Sequence, residues 1–198
     1  NTLALVNKTE LGKLDILNSQ HLTYIFKNNK IDTVFHLAAI PSVQKSIKNP
    51  LASHNANATG TLNILLAAQK YGVNNFIYSA SSSAYGDQEH YPQIETMLGI
   101  PKSPYAISKY TGELYCKAYA QFSTMKIVSL RYFNVFGPRQ KAGSPYSAVI
   151  PKFIKLMKEG KTPVINGDGS ITRDFTYVRN VVEANILAMN ADKNVSGE

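Results

Sequence analysis

The segment S-P-Y-A-I-S-K, residues 103–109, decides how the rest of the chain is interpreted. Tyr105 and Lys109 are four residues apart, and in a helix this spacing puts both side chains on one face, a turn apart. A lysine ammonium beside a phenol favours the phenolate, so the sequence predicts that Tyr105 exchanges protons nearer neutral pH than its usual pKa of about 10. Such a pair can act as a general base on a sugar or alcohol hydroxyl. Surface helices also carry tyrosine and lysine at this spacing, so the pair alone is a weak signal.

Two further motifs flank this segment. F-I-Y-S-A-S-S-S-A-Y-G precedes it at residues 76–86, and L-R-Y-F-N-V-F-G-P-R follows it at residues 130–139. Three such motifs in this order resemble the extended short-chain dehydrogenase/reductase family, and within it the NAD-dependent nucleotide-sugar epimerases and dehydratases. The resemblance extends from about Asp15 to Val182.

Apolar segments alternate with helical patterns along the chain. Short apolar runs at residues 31–39, 76–80 and 127–131 predict buried parallel strands, and helical spacing predicts helices at residues 18–27, 55–71 and 103–122. This alternation predicts an α/β fold with a parallel sheet, and the resemblance implies a doubly wound sheet of the Rossmann type. Ligands bind such sheets beyond the carboxyl ends of the strands, where residues 37–42, 79–83 and 132–134 are expected to meet.

The pattern changes after Gly137. We expect residues 1–136 to be part of an NAD-binding Rossmann domain and residues 137–198 to be part of a small substrate-binding lobe. The sequence predicts a helix at residues 149–157 and a strand, a turn and a second strand at residues 164–178. We expect residues 177–190 to form a helix that packs back on the Rossmann domain.

The first strand–turn–helix units of the family pattern are absent. No G-x-x-G-x-x-G motif occurs, although this turn normally cradles the pyrophosphate of a dinucleotide. We expect the sequence to be a fragment that lacks the beginning and the end of the family pattern. The alternative is a natural truncation without activity.

Composition limits the partners. The formal net charge of +8 favours an anionic ligand, and because the basic residues are dispersed we expect a phosphorylated small molecule and not nucleic acid. An ordinary solvated basic surface is the alternative. No run approaches the roughly 18–20 apolar residues of a membrane span, so no membrane partner is expected. The single cysteine, Cys116, excludes an internal disulfide, fits the reducing conditions of the cytoplasm and is predicted to be a packing residue.

The resemblance implies roles for individual residues. Tyr105 resembles the general acid/base of the family, Lys109 its partner, which also contacts the nicotinamide ribose, and Ser81 the hydroxyl that orients the reacting sugar oxygen. The implied cofactor is NAD, and no metal is expected. The cofactor-binding positions implied by the resemblance are Asp15, Ile16, Leu37, Ala38, Ala39, Asn55, Ser79, Tyr105, Lys109 and Phe133. The substrate-binding positions that it implies are Ser42, Ser81, Ser83, Tyr105, Asn134, Ala148, Val149, Asn166 and Arg173.

Ser82 and Ser83 bear on the reaction class. The 4,6-dehydratases of the family carry an acidic pair here, and the related decarboxylases carry a glutamate at the second position. Two serines therefore favour simple epimerisation. The resemblance implies 4-epimerisation of UDP-N-acetylglucosamine, or of its uronic acid, through a transient 4-keto sugar, in surface-polysaccharide synthesis. The alternatives are a UDP-glucose 4-epimerase, a dehydratase or reductase of the same fold, and an inactive nucleotide-binding fragment.

The resemblance also implies an assembly. Relatives in the family pair through the helix predicted at residues 103–122 and the helix before it. We therefore expect a homodimer that binds a UDP-sugar.

Overall fold

Three parallel strands form the centre of the molecule. The computed structural model describes residues 14–140, 149–165 and 167–197. In sequential order the strands are β1 (Thr33–His36), β2 (Asn75–Ser81) and β3 (Lys126–Tyr132), with β2 in the middle. Because parallel strands need crossover connections, helices come between them and cover the sheet. The α/β fold class expected from the sequence is confirmed.

Helices connect and cover these strands. They are α1 (Ser19–Asn28), α2 (Val43–Lys48), α3 (Pro50–His54), α4 (Gly60–Lys70), α5 (Pro104–Ala120), α6 (Val149–Lys158) and α7 (Val178–Asn190). One turn of π-helix, Asn55–Thr59, joins α3 to α4, and 3-10 turns lie at Ser82–Ala84 and Lys193–Val195. No helix in the described ranges is long and apolar enough to span a membrane.

The central strand β2 is buried on both faces of the sheet. Side chains alternate along β2, so Phe76 and Tyr78 lie on one face and Ile77 lies on the other. The first face packs against α1, α4 and α5. On the second face Ile77 packs with Val128 and with Ala188 of α7. Helices on both faces are the doubly wound arrangement, with its ligand site at the carboxyl ends of the strands.

Two connections differ from the sequence expectation. The helix predicted from residue 55 begins at Pro50, because the Asn49 side chain accepts a hydrogen bond from the Ala52 amide and proline is favourable in the first turn. The strand–turn–strand predicted at residues 164–178 is confirmed in its turn and second strand and wrong in its first strand. Among the described residues of this range the one strand is β5 (Thr176–Tyr177), and it pairs in parallel with β4 (Val135–Phe136). Its partner comes from another part of the chain, which local turn signals cannot reveal.

Candidate active site

A cleft of about 1440 Å³ lies at the carboxyl ends of β1, β2 and β3. The prediction that residues 37–42, 79–83 and 132–134 meet at this edge is confirmed, since all three segments contribute to its lining. Ten of the residues proposed from the sequence line the cleft: Leu37, Ala39, Ser79, Ser81, Ser83, Tyr105, Lys109, Phe133, Asn134 and Arg173.

The start of α5 brings Tyr105 and Lys109 to this cleft. The Ser103 hydroxyl accepts a hydrogen bond from the Ala106 amide at 3.1 Å, and Pro104 occupies the first turn. Tyr105 follows at once, and its backbone amide donates to the hydroxyl of the buried Ser46 in α2 at 3.0 Å. The helical spacing inferred from the sequence is confirmed, and both side chains lie on the wall of the cleft.

The predicted pKa of Tyr105 is wrong in direction. Burial raises the pKa of this phenol, and a hydrogen bond with Ser81 opposes the rise. Lys109 is not among the groups that shift this pKa, and its ammonium lies over the ring of Tyr78, 4.3 Å from the ring centroid. Burial therefore favours the protonated phenol, whereas the hydrogen bond with Ser81 favours the phenolate.

Lys109 is almost wholly buried, with 4% of its surface exposed. Burial lowers its pKa to about 8, and Cys116 and Glu113 act in the opposite direction. The ammonium is thus charged in most molecules at pH 7. It lies at the cleft, where it can donate hydrogen bonds to a bound molecule.

The end of β2 supplies a pair of hydroxyls. The Oγ atoms of Ser81 and Ser83 are 2.7 Å apart, and the Ser83 amide donates to Ser81 Oγ at 3.2 Å. These contacts fix both hydroxyls beside Tyr105. Ser82 also lines the cleft, so this part of the wall carries hydroxyls and no carboxylate.

Tyr132 was not singled out by the sequence reasoning. Its hydroxyl accepts hydrogen bonds from Ser79 at 3.4 Å and from the Asn185 amide at 2.6 Å. Tyr132 lines the cleft and links β2, β3 and α7. The sequence feature that could have identified Tyr132 is its position in the motif at residues 130–139, directly before Phe133.

Asn57 was also missed. Its side chain accepts from the Ile40 amide at 2.7 Å and donates to the Ser108 hydroxyl at 3.1 Å. It is fully buried and ties the loop after β1 to α5. Asn55, the asparagine chosen from the sequence, is half-buried and does not line the cleft. Both asparagines lie at the same helical turn, so sequence spacing did not separate them.

Several other proposed residues lie away from the cleft lining. Asp15 accepts from the Leu17 amide at 2.9 Å, and Ile16 packs on the core beside α4. Ser42 caps α2 by accepting from the Lys45 amide at 3.2 Å. The cleft lining does not include Asp15, Ile16, Ala38, Ser42, Asn55 or Val149. Ala148 and Asn166 lie outside the described residues.

The opposite wall of the cleft carries Asn134 and Arg173. The Asn134 amide donates to the Asp174 carbonyl at 2.9 Å, which joins the segment after β3 to the segment before β5. Arg173 is exposed, and its guanidinium donates to the Thr172 carbonyl at 2.7 Å. Its remaining donors are available to an anionic ligand in the cleft.

Comparison with known proteins agrees with this geometry. The NAD dependent epimerase/dehydratase family matches residues 1–198. The chain belongs to this family. A UDP-N-acetylglucosamine 4-epimerase from Methanobrevibacter ruminantium, solved with UDP-N-acetylmuramic acid, is 42% identical with a TM-score of 0.86, covering 91% of this chain and 57% of that one. A UDP-glucuronic acid 4-epimerase from Bacillus cereus, solved with UDP-glucuronic acid and NAD, is 36% identical with a TM-score of 0.85. The match covers 100% of this chain and 60% of that one.

Another relative in the family carries a different activity. A UDP-N-acetyl-alpha-D-glucosaminuronate decarboxylase from Bacillus cytotoxicus is 39% identical over 175 residues, covering 86% of this chain and 53% of the relative. The chain spans about half the length of the curated relatives that it matches.

The residues of this family member fit one half of a dinucleotide. The small side chain of Ala39 leaves room beside the end of β1, and Phe133 presents a ring that stacks on Tyr85 with centroids 6.1 Å apart. The buried ammonium of Lys109 supplies donors for ribose hydroxyls. These groups suit a nicotinamide riboside, whereas no glycine-rich turn for the pyrophosphate occurs in the sequence.

Proposed function

We propose that this chain carries the catalytic centre of an NAD-dependent 4-epimerase that acts on UDP-N-acetylglucosamine and UDP-N-acetylgalactosamine or on their uronic acid forms. The observation that carries the proposal is the convergence of Tyr105, Lys109 and Ser81 on one cleft. The family membership and the two similar 4-epimerase structures support it.

Tyr105 moves the proton in this proposal. NAD, if bound in this cleft, would supply the hydride chemistry at the sugar carbon, and the protein residues would supply placement and proton transfer. Tyr105 accepts the proton of the sugar hydroxyl as the keto sugar forms and gives it back as the keto sugar is reduced. Because burial keeps the free phenol protonated, it has to lose its proton before it can act as the base. That proton passes to solvent at the cleft, and Ser81, whose hydrogen bond favours the phenolate, orients the sugar oxygen.

Lys109 contributes charge and position. Its ammonium provides a positive charge in a poorly solvated site, where electrostatic effects on a phenolate are larger than in water. Its remaining donors suit the nicotinamide ribose. In the proposal Leu37, Ala39, Ser79 and Phe133 line the cofactor side of the cleft.

The other wall binds the nucleotide sugar in this proposal. Arg173 suits a diphosphate because its planar guanidinium offers paired donors. Asn134 and Ser83 supply donors and acceptors for the sugar. We infer that residues 137–198 belong to the substrate-binding lobe and residues 1–136 to the cofactor domain, so that the cleft lies where the two meet.

The hydroxyls of Ser82 and Ser83 favour epimerisation over the alternatives. Water elimination requires an additional acid and base, and this end of β2 offers only hydroxyls. Epimerisation of the N-acetyl or uronic acid forms, in preference to the glucose form, is the expected result. A proton NMR assay with each UDP-sugar tests it, since an epimerase changes the configuration at C4 whereas a dehydratase releases a 4-keto-6-deoxy sugar.

Replacing Tyr105 with phenylalanine tests the central role. In the complete protein Tyr105→Phe should lower kcat by about 100- to 10,000-fold, because general acid–base catalysis contributes this much. Binding of the UDP-sugar should be retained. Tyr115→Phe, on the same helix and outside the cleft lining, is the matched control and should keep full activity. Turnover of Tyr105→Phe close to that of the control would rule out this mechanism.

We also propose a homodimer that works in the cytoplasm. Leu66 of α4 and Ile107 and Leu114 of α5 expose about half of their surfaces. Such a pair of apolar helix faces is suited to burial against a second copy. The single cysteine and the nucleotide-sugar chemistry support the location. Light scattering measures the assembly, and a monomer at micromolar concentration would contradict it.

A further inference from the structure

Lys109 poses a physical problem that the proposed chemistry does not solve. Burying an ammonium is costly unless other groups replace its lost solvation. Lys109 is 4% exposed, yet within residues 14–140, 149–165 and 167–197 it has no ion pair with a carboxylate. Another group must stabilise the charge.

Tyr78 is that group. The Lys109 ammonium lies 4.3 Å from the centroid of the Tyr78 ring. A cation over an aromatic face is attracted by the negative charge of that face, most strongly where water is excluded. The Tyr78 hydroxyl also donates a hydrogen bond to the Lys109 carbonyl at 3.0 Å. One side chain therefore contacts both the backbone and the charged end of Lys109.

Tyr78 is itself held in a fixed position. It is fully buried in the central strand, where it pairs with His36 of β1 and with Ser129 of β3. Its ring stacks on the His36 ring with centroids 5.6 Å apart. Gly112 of α5 has no side chain at the point where one would collide with the Tyr78 hydroxyl, so the helix packs closely against the ring.

We propose that Tyr78 is a positioning residue whose ring and hydroxyl hold the charged Lys109 ammonium at the wall of the cleft. The tyrosine ring does for this lysine what a carboxylate does for other buried cations. A neutral partner has one advantage here: it does not neutralise the ammonium, so the positive charge stays available to a ligand bound in the cleft. The catalytic consequence rests on the proposed function, whereas the contact with Lys109 does not.

Other titratable groups surround this contact. Glu113 and Cys116 of α5 raise the pKa of Lys109, and the Glu113 carboxylate is itself paired with Arg131 of β3 at 2.6 Å. His36 is neutral, because burial lowers its pKa to about 4. Burial raises the pKa of Tyr78, so its ring stays uncharged. Tyr105 is a further titratable group that acts on Tyr78, whereas Asn57, bonded to Ser108 of α5, and Thr61, bonded to His36, carry no charge.

The test measures Lys109 directly. The full chain is labelled with ¹³C at the lysine ε-carbons, and the Lys109 signal is assigned as the one missing in Lys109→Arg. Its titration is then followed by NMR. Tyr78→Leu should lower the pKa of Lys109 by about one pH unit, since it removes a desolvated cation–π contact. Tyr78→Phe keeps the ring face and should keep most of the wild-type pKa.

Fluorinated phenylalanines at position 78 sharpen the test and do not depend on the leucine variant folding. Each added fluorine withdraws charge from the ring face with little change of shape, so the pKa of Lys109 should fall in steps from Phe to trifluoro-Phe. Phe76→Leu is the control, because Phe76 is also a fully buried ring on β2. Its ring contacts His36, as the Tyr78 ring does, but it makes no contact with the Lys109 ammonium. The substitution should leave the Lys109 titration unchanged.

The outcomes separate this proposal from the proposed function. A Lys109 pKa that stays constant along the fluorinated series, in proteins with native spectra, would overturn the role of Tyr78. An equal fall in Phe76→Leu would also overturn it, since the effect would then come from general loosening of the sheet. Neither result requires NAD or a UDP-sugar, whereas the epimerase assay fails or succeeds regardless of the lysine titration.

Discussion

The two walls of the cleft are built in different ways. On the catalytic wall, formed by β1–β3 and α5, the five residues Phe76–Ala80 are all buried. On the recognition wall, which carries Asn134 and residues 171–174, the segment before β5 has no regular structure, and α6 in the same part of the chain has no buried residue. Proton transfer requires groups held within a fraction of an ångström, which packed strands provide. In the proposed reaction, binding of the charged nucleotide sugar depends more on exposed donors, which the second wall supplies.

Because of this contrast, we expect a substitution in the core strand β2 to lower the free energy of unfolding much more than a substitution on the exposed helix α6. Phe76→Ala should lower the free energy of unfolding by about 3–5 kcal/mol, because a fully buried ring is replaced by a cavity. Ile154→Ala on α6 removes a half-exposed side chain and should change it by only about 0.5 kcal/mol. Urea unfolding of the chain measures both values. Similar costs for the two variants would show that α6 is as well packed as β2.

The catalytic wall should also determine the acid sensitivity of the fold. Burial, with a smaller contribution from Lys109, lowers the pKa of His36 to about 4, and Nε2 of His36 lies 2.8 Å from the Thr61 hydroxyl. The unfolded chain, with a histidine pKa near 6.5, binds this proton first, so stability is full above pH 6.5 and falls as the pH drops towards 4. The loss attributable to His36 should reach about 3 kcal/mol.

His36→Gln isolates this contribution. Glutamine can still contact Thr61 but does not titrate, so its free energy of unfolding should vary less between pH 7 and pH 4 than that of the wild type. Urea titrations at each pH provide the comparison. Parallel curves for the two proteins would mean that other groups control the acid response.

The smallest effect concerns the recognition wall. In the complete protein Arg173→Met should raise KM for the UDP-sugar about tenfold, because one charged hydrogen bond to the diphosphate is lost. Stability should not change, since Arg173 is exposed. Arg179→Met is the matched control: it removes an exposed arginine from α7 that pairs with Glu183 outside the cleft. If both variants bind substrate alike, Arg173 has no direct role.

Much of the catalytic wall could be predicted from local sequence. The four-residue spacing of Tyr105 and Lys109 predicted the helix α5, and apolar runs located all three strands of the sheet. The core placement of Cys116 was also correct. The recognition wall was predicted less well, because β5 pairs with β4, about forty residues earlier in the chain, and no turn signal encodes such a partner.

For the candidate site, too, the sequence predicted some features and the tertiary structure was needed for the others. The resemblance to the family implied the site residues, and ten of them line one cleft, while the carboxyl-edge rule for parallel sheets correctly brought residues 37–42, 79–83 and 132–134 together. The electrostatics required the tertiary structure. Sequence spacing suggested that Lys109 acts directly on the Tyr105 phenol, but the fold directs its ammonium over Tyr78 and buries the phenol, which raises its pKa. Solvation and orientation depend on neighbours from distant strands, so a pKa is decided only when the chain has folded.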